Sequence, residues 1–198
     1  MNMDVYAKLK SIEDRWTGCQ RCELSKQRKK QAFRRGAPEV NLVIVGEAPG
    51  QEEDEQGYPF VGPAGRALDE LMKSIGMVPH NEVFITNLVC CRPPGNRVPE
   101  PDEIVACAPR LDAMLWALDA KAILALGGTA AGRLVGSKKV SNLLDDVHEY
   151  EMWWKGATKV IPVVVTWHPS YYLRNGKNER IGKQIKSAIR LAQDIARG

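Results

Sequence analysis

The chain has 198 residues and reads as an α/β fold: a parallel sheet covered by helices on both faces, a three-layer α/β/α sandwich. Three observations point there. Four short apolar runs, at residues 42–45, 83–89, 122–126 and 160–166, are too short for helices and suit buried strands. Segments with apolar residues at helical spacing alternate with them. Three of these segments turn polar as they leave the strand, at Glu47, Asn87 and His168, as parallel strands do where they reach a site. There is no internal repeat and no linker-like stretch, so one domain spanning residues 1–198 is expected.

The elements follow in order. Val5, Leu9, Ile12 and Trp16 share one face of an N-terminal helix, which Thr17 and Gly18 end before Cys19 and Cys22. Residues 25–38 are basic and poorly periodic, and are expected to form a loop with part of a strand. The first strand, 42–45, leads into residues 46–65, which hold five glycines and three prolines. That density argues against any helix and for a long ordered loop. Phe60, between two Pro/Gly pairs, is its aromatic feature. Leu68, Leu71, Met72 and Ile75 then form one face of a helix, with Gly76 at its C-terminal cap.

In the second strand, Thr86 and Asn87 interrupt the apolar run, and a polar pair in a buried strand needs a reason. A rigid turn-rich loop follows at 90–97. Asp102 and Glu103 sit in the first turn of a helix expected to reach about residue 118, where acids suit the helix dipole. After the third strand, Gly127, Gly128 and Thr129 lead into a short helix. Trp153 and Trp154 suggest a strand or hairpin within 137–158. The fourth strand ends at Trp167-His168-Pro169-Ser170, and Ile181, Ile185, Ala188, Ile189, Ala192 and Ile195 make a final amphipathic helix.

Composition narrows the function classes. The apolar content of 44% is ordinary and argues against disorder and a membrane span. The N-terminal residues carry no apolar signal segment, so a cytoplasmic location is expected, nucleoid-associated in a bacterium. The formal charge of +4 is mild but uneven. Arg21, Lys26, Arg28, Lys29, Lys30, Arg34 and Arg35 stand against the single acid Glu23, and the segment after Arg174 is also basic. Such segments suit a polyanion such as nucleic acid, or a solvated surface, in equal measure. The five cysteines are Cys19, Cys22, Cys90, Cys91 and Cys107. An odd number without a secretion signal argues for metal-bound thiolates over disulfides. From spacing alone, a four-cysteine zinc site and an iron–sulfur cluster both remain open.

Ligands in open α/β sheets sit at the carboxyl ends of strands. Three such ends bring Glu47 with the Phe60 loop, Asn87, and His168 toward one crevice. Each residue alone has a plain structural explanation, as a cap, a strand-edge group or a turn residue; their coincidence favours a site. A Phe can stack on a planar ring, and an Asn amide matches the edge of a nucleobase. A His can donate to a carbonyl oxygen where charge builds up, and a carboxylate can position water or stabilise a cationic sugar. Together these roles fit cleavage of an N-glycosidic bond, with a base flipped out of duplex DNA.

The residues that carry a family resemblance are Gly46-Glu47-Ala48-Pro49-Gly50, Gly57-Tyr58-Pro59-Phe60-Val61-Gly62 with Ala64-Gly65, Ile85-Thr86-Asn87, Cys91-Arg92-Pro93-Pro94-Gly95-Asn96-Arg97, and His168-Pro169-Ser170. In these motifs and their order the chain resembles the family 4, iron–sulfur uracil-DNA glycosylases, from Cys19 to about Asn175. The resemblance implies a central four-stranded parallel sheet, removal of uracil from DNA to leave an abasic site, and a [4Fe–4S] cluster on Cys19, Cys22, Cys91 and Cys107. It also implies that Phe60 stacks on uracil and that Asn87 reads its edge. His168 would stabilise charge at a uracil carbonyl, and Gly46, Glu47 and Ala48 would lie beside the base. Ser170, Tyr171, Tyr172, Leu173 and Arg174 would form a loop approaching the minor groove, with Leu173 or a neighbour as a wedge. Uracil-containing DNA is the expected partner of a monomeric enzyme that uses no membrane.

Cys90 is expected to be a small buried apolar residue. Family 1 relatives carry an Asp where Ala48 stands, and the family's Arg-Gly pair is missing near Asp146-Val147-His148. The acidic stretch 51–56 replaces the basic insertion of covalently trapping relatives, so no stable adduct is expected. Its acids, Glu52, Glu53, Asp54 and Glu55, are expected to form a solvated bulge. The competing function class is a non-catalytic module that binds uracil or single-stranded DNA with the same pocket.

Overall fold

A computed structural model describes residues 3–198. Helix α1 (Met3–Trp16) precedes a short 3-10 turn at Glu23–Lys26 and the two-residue strand β1 (Arg35–Gly36). Strand β2 (Leu42–Gly46) is followed by α2 (Gln51–Gln56), α3 (Pro63–Lys73), α4 (Pro79–Glu82) and β3 (Phe84–Asn87). Then come α5 (Pro101–Ala117), β4 (Ala122–Leu126), α6 (Gly127–Val135), β5 (Val147–Trp154), β6 (Ala157–Thr166), α7 (Pro169–Arg174) and α8 (Glu179–Arg197). None of the described helices is long and apolar enough to cross a membrane.

The sheet has six strands in the order β1-β3-β2-β4-β6-β5, where four were expected. The four expected strands β2, β3, β4 and β6 pair in parallel. The two additions are antiparallel edges, β1 on β3 and β5 on β6. Part of a strand was expected within 25–38 and a strand or hairpin at Trp153 and Trp154, but the bounds and pairing of these edges escaped sequence reasoning for physical reasons. A two-residue strand has no period, and β5 is a half-exposed edge whose charged residues mask its alternation.

Both faces of the parallel core are covered. Val43, Val45, Phe84, Ile123, Ala125, Val163 and Val165 point to one side, where α1, α5 and α6 bring Leu9, Leu111, Met114 and Leu134. Ile44, Ile85, Leu124 and Val164 point to the other, against Leu68 and Met72 of α3 and Ile185, Ile189 and Ala192 of α8. Successive residues of each strand therefore feed opposite cores, which is why the strands read as continuous apolar runs.

Topology locates the site. From β2 the chain passes to β3 on one side, and the next strand, β4, lies on the other. The switch point falls between β2 and β4, and their carboxyl ends open into a crevice.

Residues 46–65 are not a helix-free loop. Gln51–Gln56 forms one and a half turns, started by Gly50 and stopped by Gly57 at φ +86°. Glu53 accepts from the Gly50 N–H at 3.0 Å, closing the cap, and acids fill the first turn. Flanking glycines and prolines hid this helix, because they mark its ends as strongly as they would mark a loop.

Candidate active site and cysteine compartment

Gly46 and Asn87 lie opposite each other at the ends of β2 and β3. A Cβ on Gly46 would sit 2.4 Å from Asn87 Oδ1 and 2.5 Å from Phe60 Cζ, so only glycine lets this ring and this amide close over the strand end. Phe60 is buried and held at φ +56°, an uncommon conformation for a bulky residue. The turn that imposes it packs against α3, where a Cβ on Gly65 would meet the Phe60 carbonyl oxygen at 1.8 Å. The Phe60 and His168 rings lie 5.8 Å apart with a 36° tilt.

The polar pair in β3 divides its work. Thr86 is fully buried; its hydroxyl donates to the Phe33 carbonyl and accepts from Arg110. Asn87 is 1% exposed, yet neither its Oδ1 nor its Nδ2 has a partner among the described residues. Leaving such groups unpaired costs about 1–3 kcal/mol each. A carboxamide can pair with an edge that carries both an acceptor and a donor, but Asn87 is not among the residues that line the crevice.

A cavity of about 950 Å³ opens at the switch point, with Glu47, Phe60, Gly127, Trp167 and His168 in its wall. Glu47 Oε2 accepts from Thr129 Oγ1 at 2.5 Å, so α6 fixes the carboxylate from the far side of the crevice. Gly127 has φ +86°, and a Cβ there would press on His168 Cβ at 3.0 Å. Thr129 was not singled out from the sequence; the signal was Gly127-Gly128-Thr129 directly after a strand. Asn96, at φ +58°, also reaches the cavity wall.

His168 is neutral. Burial, with a smaller push from the Arg174 cation, lowers its pKa to about 4. Its Nδ1 accepts from the Ser170 N–H at 3.1 Å and lies 2.8 Å from Ser170 Oγ. Arg174 Nη1 donates to that same hydroxyl at 3.1 Å, which turns the hydroxyl proton toward Nδ1. The ring proton therefore resides on Nε2, which is free to donate.

The stretch expected as a loop at 170–174 is the short helix α7, capped by His168 itself. Tyr171 is exposed and stacks on Trp167 at 4.9 Å, while Tyr172 turns inward against Gly182 of α8. Leu173 and Arg174 line the cavity mouth with Ser170.

The acidic bulge is solvated only in part: Glu55 is exposed and Glu52 partly so. Glu53 and Asp54 are buried. Glu53 Oε1 accepts from the Gly62 N–H at 2.7 Å while Oε2 holds Gly50, so one carboxylate joins the two halves of the pocket loop. Asp54 accepts from the Lys29 N–H at 2.9 Å, and Glu52 and Glu55 pair with Arg66 and Lys29. Much of the basic segment is also engaged internally. Arg34 meets Glu13, Arg35 forms a two-bond pair with Asp69, and Arg21 lies over Trp16.

All five cysteines face one second compartment. Cys90, Cys91 and Cys107 are buried, while Cys19 and Cys22 are half-buried. Cys90 is more than an apolar filler: its Sγ lies 4.0 Å from Cys91 Sγ and 3.9 Å from Cys107 Sγ. Arg28 donates to the Cys19 carbonyl at 2.7 Å and reaches Cys91 Sγ at 3.5 Å. The Cys91 thiol is lowered by its bond to Cys90 and by Arg28, whereas Cys107 is raised by its bond to Cys90 and by burial. Among the described residues no three His, Cys, Asp or Glu side chains form a group able to hold a single metal ion.

The model of the uracil DNA glycosylase superfamily matches residues 33–191, which contain the whole crevice. The chain belongs to that superfamily. Within it, the chain is 42% identical to the type-4 uracil-DNA glycosylase of Thermotoga maritima, over 85% of this chain and 84% of the relative. It is 38% identical to that of Sulfurisphaera tokodaii, over 92% and 83%, and 38% identical to that of Saccharolobus solfataricus, over 83% and 76%. These likenesses place the chain with the type-4 members of the superfamily.

Proposed function

We propose that this chain is a DNA repair enzyme that flips uracil out of DNA and hydrolyses its N-glycosidic bond, leaving an abasic site. The reading rests above all on Asn87, a buried amide with both polar atoms unpartnered among the described residues, packed with Phe60 over Gly46, while the Phe60 ring lies 5.8 Å from that of His168. A uracil edge offers one carbonyl acceptor and one N–H donor, the complement of a carboxamide. Phe60 supplies a stacking face.

Cleavage breaks the bond between the sugar carbon and the base nitrogen, and water adds to the sugar. The electron pair leaves with the base, spread over its carbonyl oxygens. His168 donates a hydrogen bond from Nε2 to one of them; its pKa of about 4 keeps the ring neutral, and the N–H of a neutral imidazole is too weak an acid to transfer its proton in that step. Glu47, held by Thr129, presents negative charge toward the cationic sugar and orients the attacking water. Ser170, Tyr171, Leu173 and Arg174 at the mouth meet the DNA backbone and minor groove; Tyr172 supports them from within. The enzyme is read as a cytoplasmic monomer in one domain.

The cysteine compartment fits an iron–sulfur group. Its donors are soft thiols from three chain segments, and Arg28 stands beside Cys91. Cys19, Cys22, Cys91 and Cys107 would hold a [4Fe–4S] cluster, which would supply a covalent tie between the N-terminal segment, the loop after β3 and α5. No step of base removal passes through it.

Incubation with a uracil-containing oligonucleotide followed by alkali tests the reading. Strand cleavage is expected with wild type. Asn87→Ala should lower single-turnover excision by at least about a hundredfold, the size of loss seen when one catalytic hydrogen-bond donor is removed. Binding to undamaged DNA should stay within twofold. Absence of cleavage by metal-replete wild type, with binding retained, would leave only a binding module.

A further inference from the structure

Arg110 is a fully buried cation without a carboxylate. It lies on α5. Nη1 donates to Thr86 Oγ1 at 3.0 Å and approaches Met114 Sδ at 3.4 Å. Nη2 donates to the carbonyls of Asn87 at 2.5 Å and Leu88 at 3.0 Å, and Nε has no partner. Every one of these acceptors is neutral. A guanidinium does not shed its proton in a protein, and a buried charge left without an opposite charge is strongly destabilising. Something anionic must therefore face Arg110 in the folded chain.

The cysteine compartment is the place. Cys107 precedes Arg110 by three residues on the same helix and so shares its face. Arg110 also holds the Leu88 carbonyl, two residues before Cys90, whose Sγ lies 3.9 Å from that of Cys107 and 4.0 Å from that of Cys91. These cysteines belong to the compartment, and thiols that carry their protons offer no countercharge. On its other side Arg110 grips β3 at its last residue, Asn87, just before the chain reaches Cys90 and Cys91.

We propose that Arg110 is the internal counter-cation for the anionic group held by the cysteines, and that it ties this compartment to the backbone of the base-reading Asn87. Arg110 is a positioning residue. It touches neither substrate nor reacting atoms, but it places the carbonyl of the residue that does. The inference rests on the cofactor reading above. It makes the cysteine compartment an electrostatic partner of the active strand as well as a staple for the N-terminal segment.

A sign reversal tests it. Full-length wild type and Arg110→Met are compared as metal-loaded protein and after reduction and chelation. The readouts are thermal midpoint, iron per chain and the Kd for free uracil. In loaded protein, Arg110→Met should lower the midpoint, at least halve the iron content and weaken uracil binding about tenfold. In stripped protein the same substitution should raise the midpoint, because it removes a buried charge that has lost its counterpart. Arg110→Lys, which keeps the charge, should retain most of the iron; Arg110→Gln should not, and this pair carries the comparison if Arg110→Met does not fold. A midpoint shift of the same sign in both states, or unchanged iron content and uracil affinity, would overturn the proposal. Wild type that excises uracil but takes up no iron would overturn the cofactor reading and this inference with it, leaving the glycosylase assignment intact. Wild type that holds iron but excises nothing would overturn the assignment instead.

Discussion

Replacing Glu53 with Gln should disable the pocket without touching any group that meets the base. Glu53 is 8% exposed, and its two oxygens hold the N–H groups of Gly50 and Gly62 at 3.0 and 2.7 Å. Hydrogen bonds to a charged acceptor contribute about 1.5–3 kcal/mol each. An amide keeps one oxygen for one glycine and turns an NH2 donor toward the other N–H. One charge-assisted bond is lost, the second loses its charge, and a buried donor is left facing a donor. The sum is about 2–4 kcal/mol of stability. For a chain of this length that corresponds to a fall in Tm of roughly 5–15 °C. The catalytic consequence follows from Gly62, two residues after Phe60. Once Gly62 is released, the turn that carries Phe60 at φ +56° loses one of its tethers. A displacement of about 1 Å in such a positioning group can lower a rate about a hundredfold. Urea denaturation and single-turnover excision on one oligonucleotide, below the lowered Tm, measure both effects. Asp54→Asn, which loosens the Lys29 N–H instead, should cost stability with less loss of rate. If Glu53→Gln keeps wild-type midpoint and rate, Glu53 does not hold the pocket together.

His168 makes a pH prediction. Its folded pKa of about 4 lies below the ordinary value of 6.5, so between those values the unfolded chain binds more protons than the folded one. Stability should rise with pH through about 4 to 6.5, by roughly 3 kcal/mol in total from this group. His168→Gln should remove that slope in urea titrations, and NMR should show a neutral ring protonated at Nε2 at pH 6. Gly46→Ala would push a methyl into Asn87 and Phe60 at 2.4–2.5 Å. The expected cost is about 1–3 kcal/mol, with uracil excision falling far more than binding to undamaged DNA. An alanine variant of wild-type rate would mean that the strand end is looser than this geometry requires.

Much of the site was legible because the chemistry of an α/β fold collects at strand ends. Glu47 and His168 follow the ends of their strands, so their place on one crevice could be argued without coordinates; Asn87, which ends β3, does not line it. The acids at 52–55 could not be read this way. Adjacent carboxylates ordinarily face water, and what buries Glu53 and Asp54 is a set of backbone N–H groups at Gly62 and Lys29, remote in sequence. Nothing in the spacing of α5 marks Arg110 either; a basic residue on an amphipathic helix ordinarily faces solvent. The basic stretch from Arg21 to Arg35 suggested a surface for polyanions, yet Arg28, Arg34 and Arg35 are engaged by the fold.

The sequence by itself determined the order and type of the main elements, the apolar strands buried on both faces, and the residue types able to read and release a base. These depend on local periodicity and on neighbours along the chain. Only the tertiary structure decided which polar groups are left unpaired. The Thr86 hydroxyl is satisfied by Phe33 and Arg110, while the side-chain amide of the adjacent Asn87 has no partner among the described residues. Hydrogen-bond satisfaction is set by distant segments brought to within about 3 Å, and no pattern along a single chain encodes that distance.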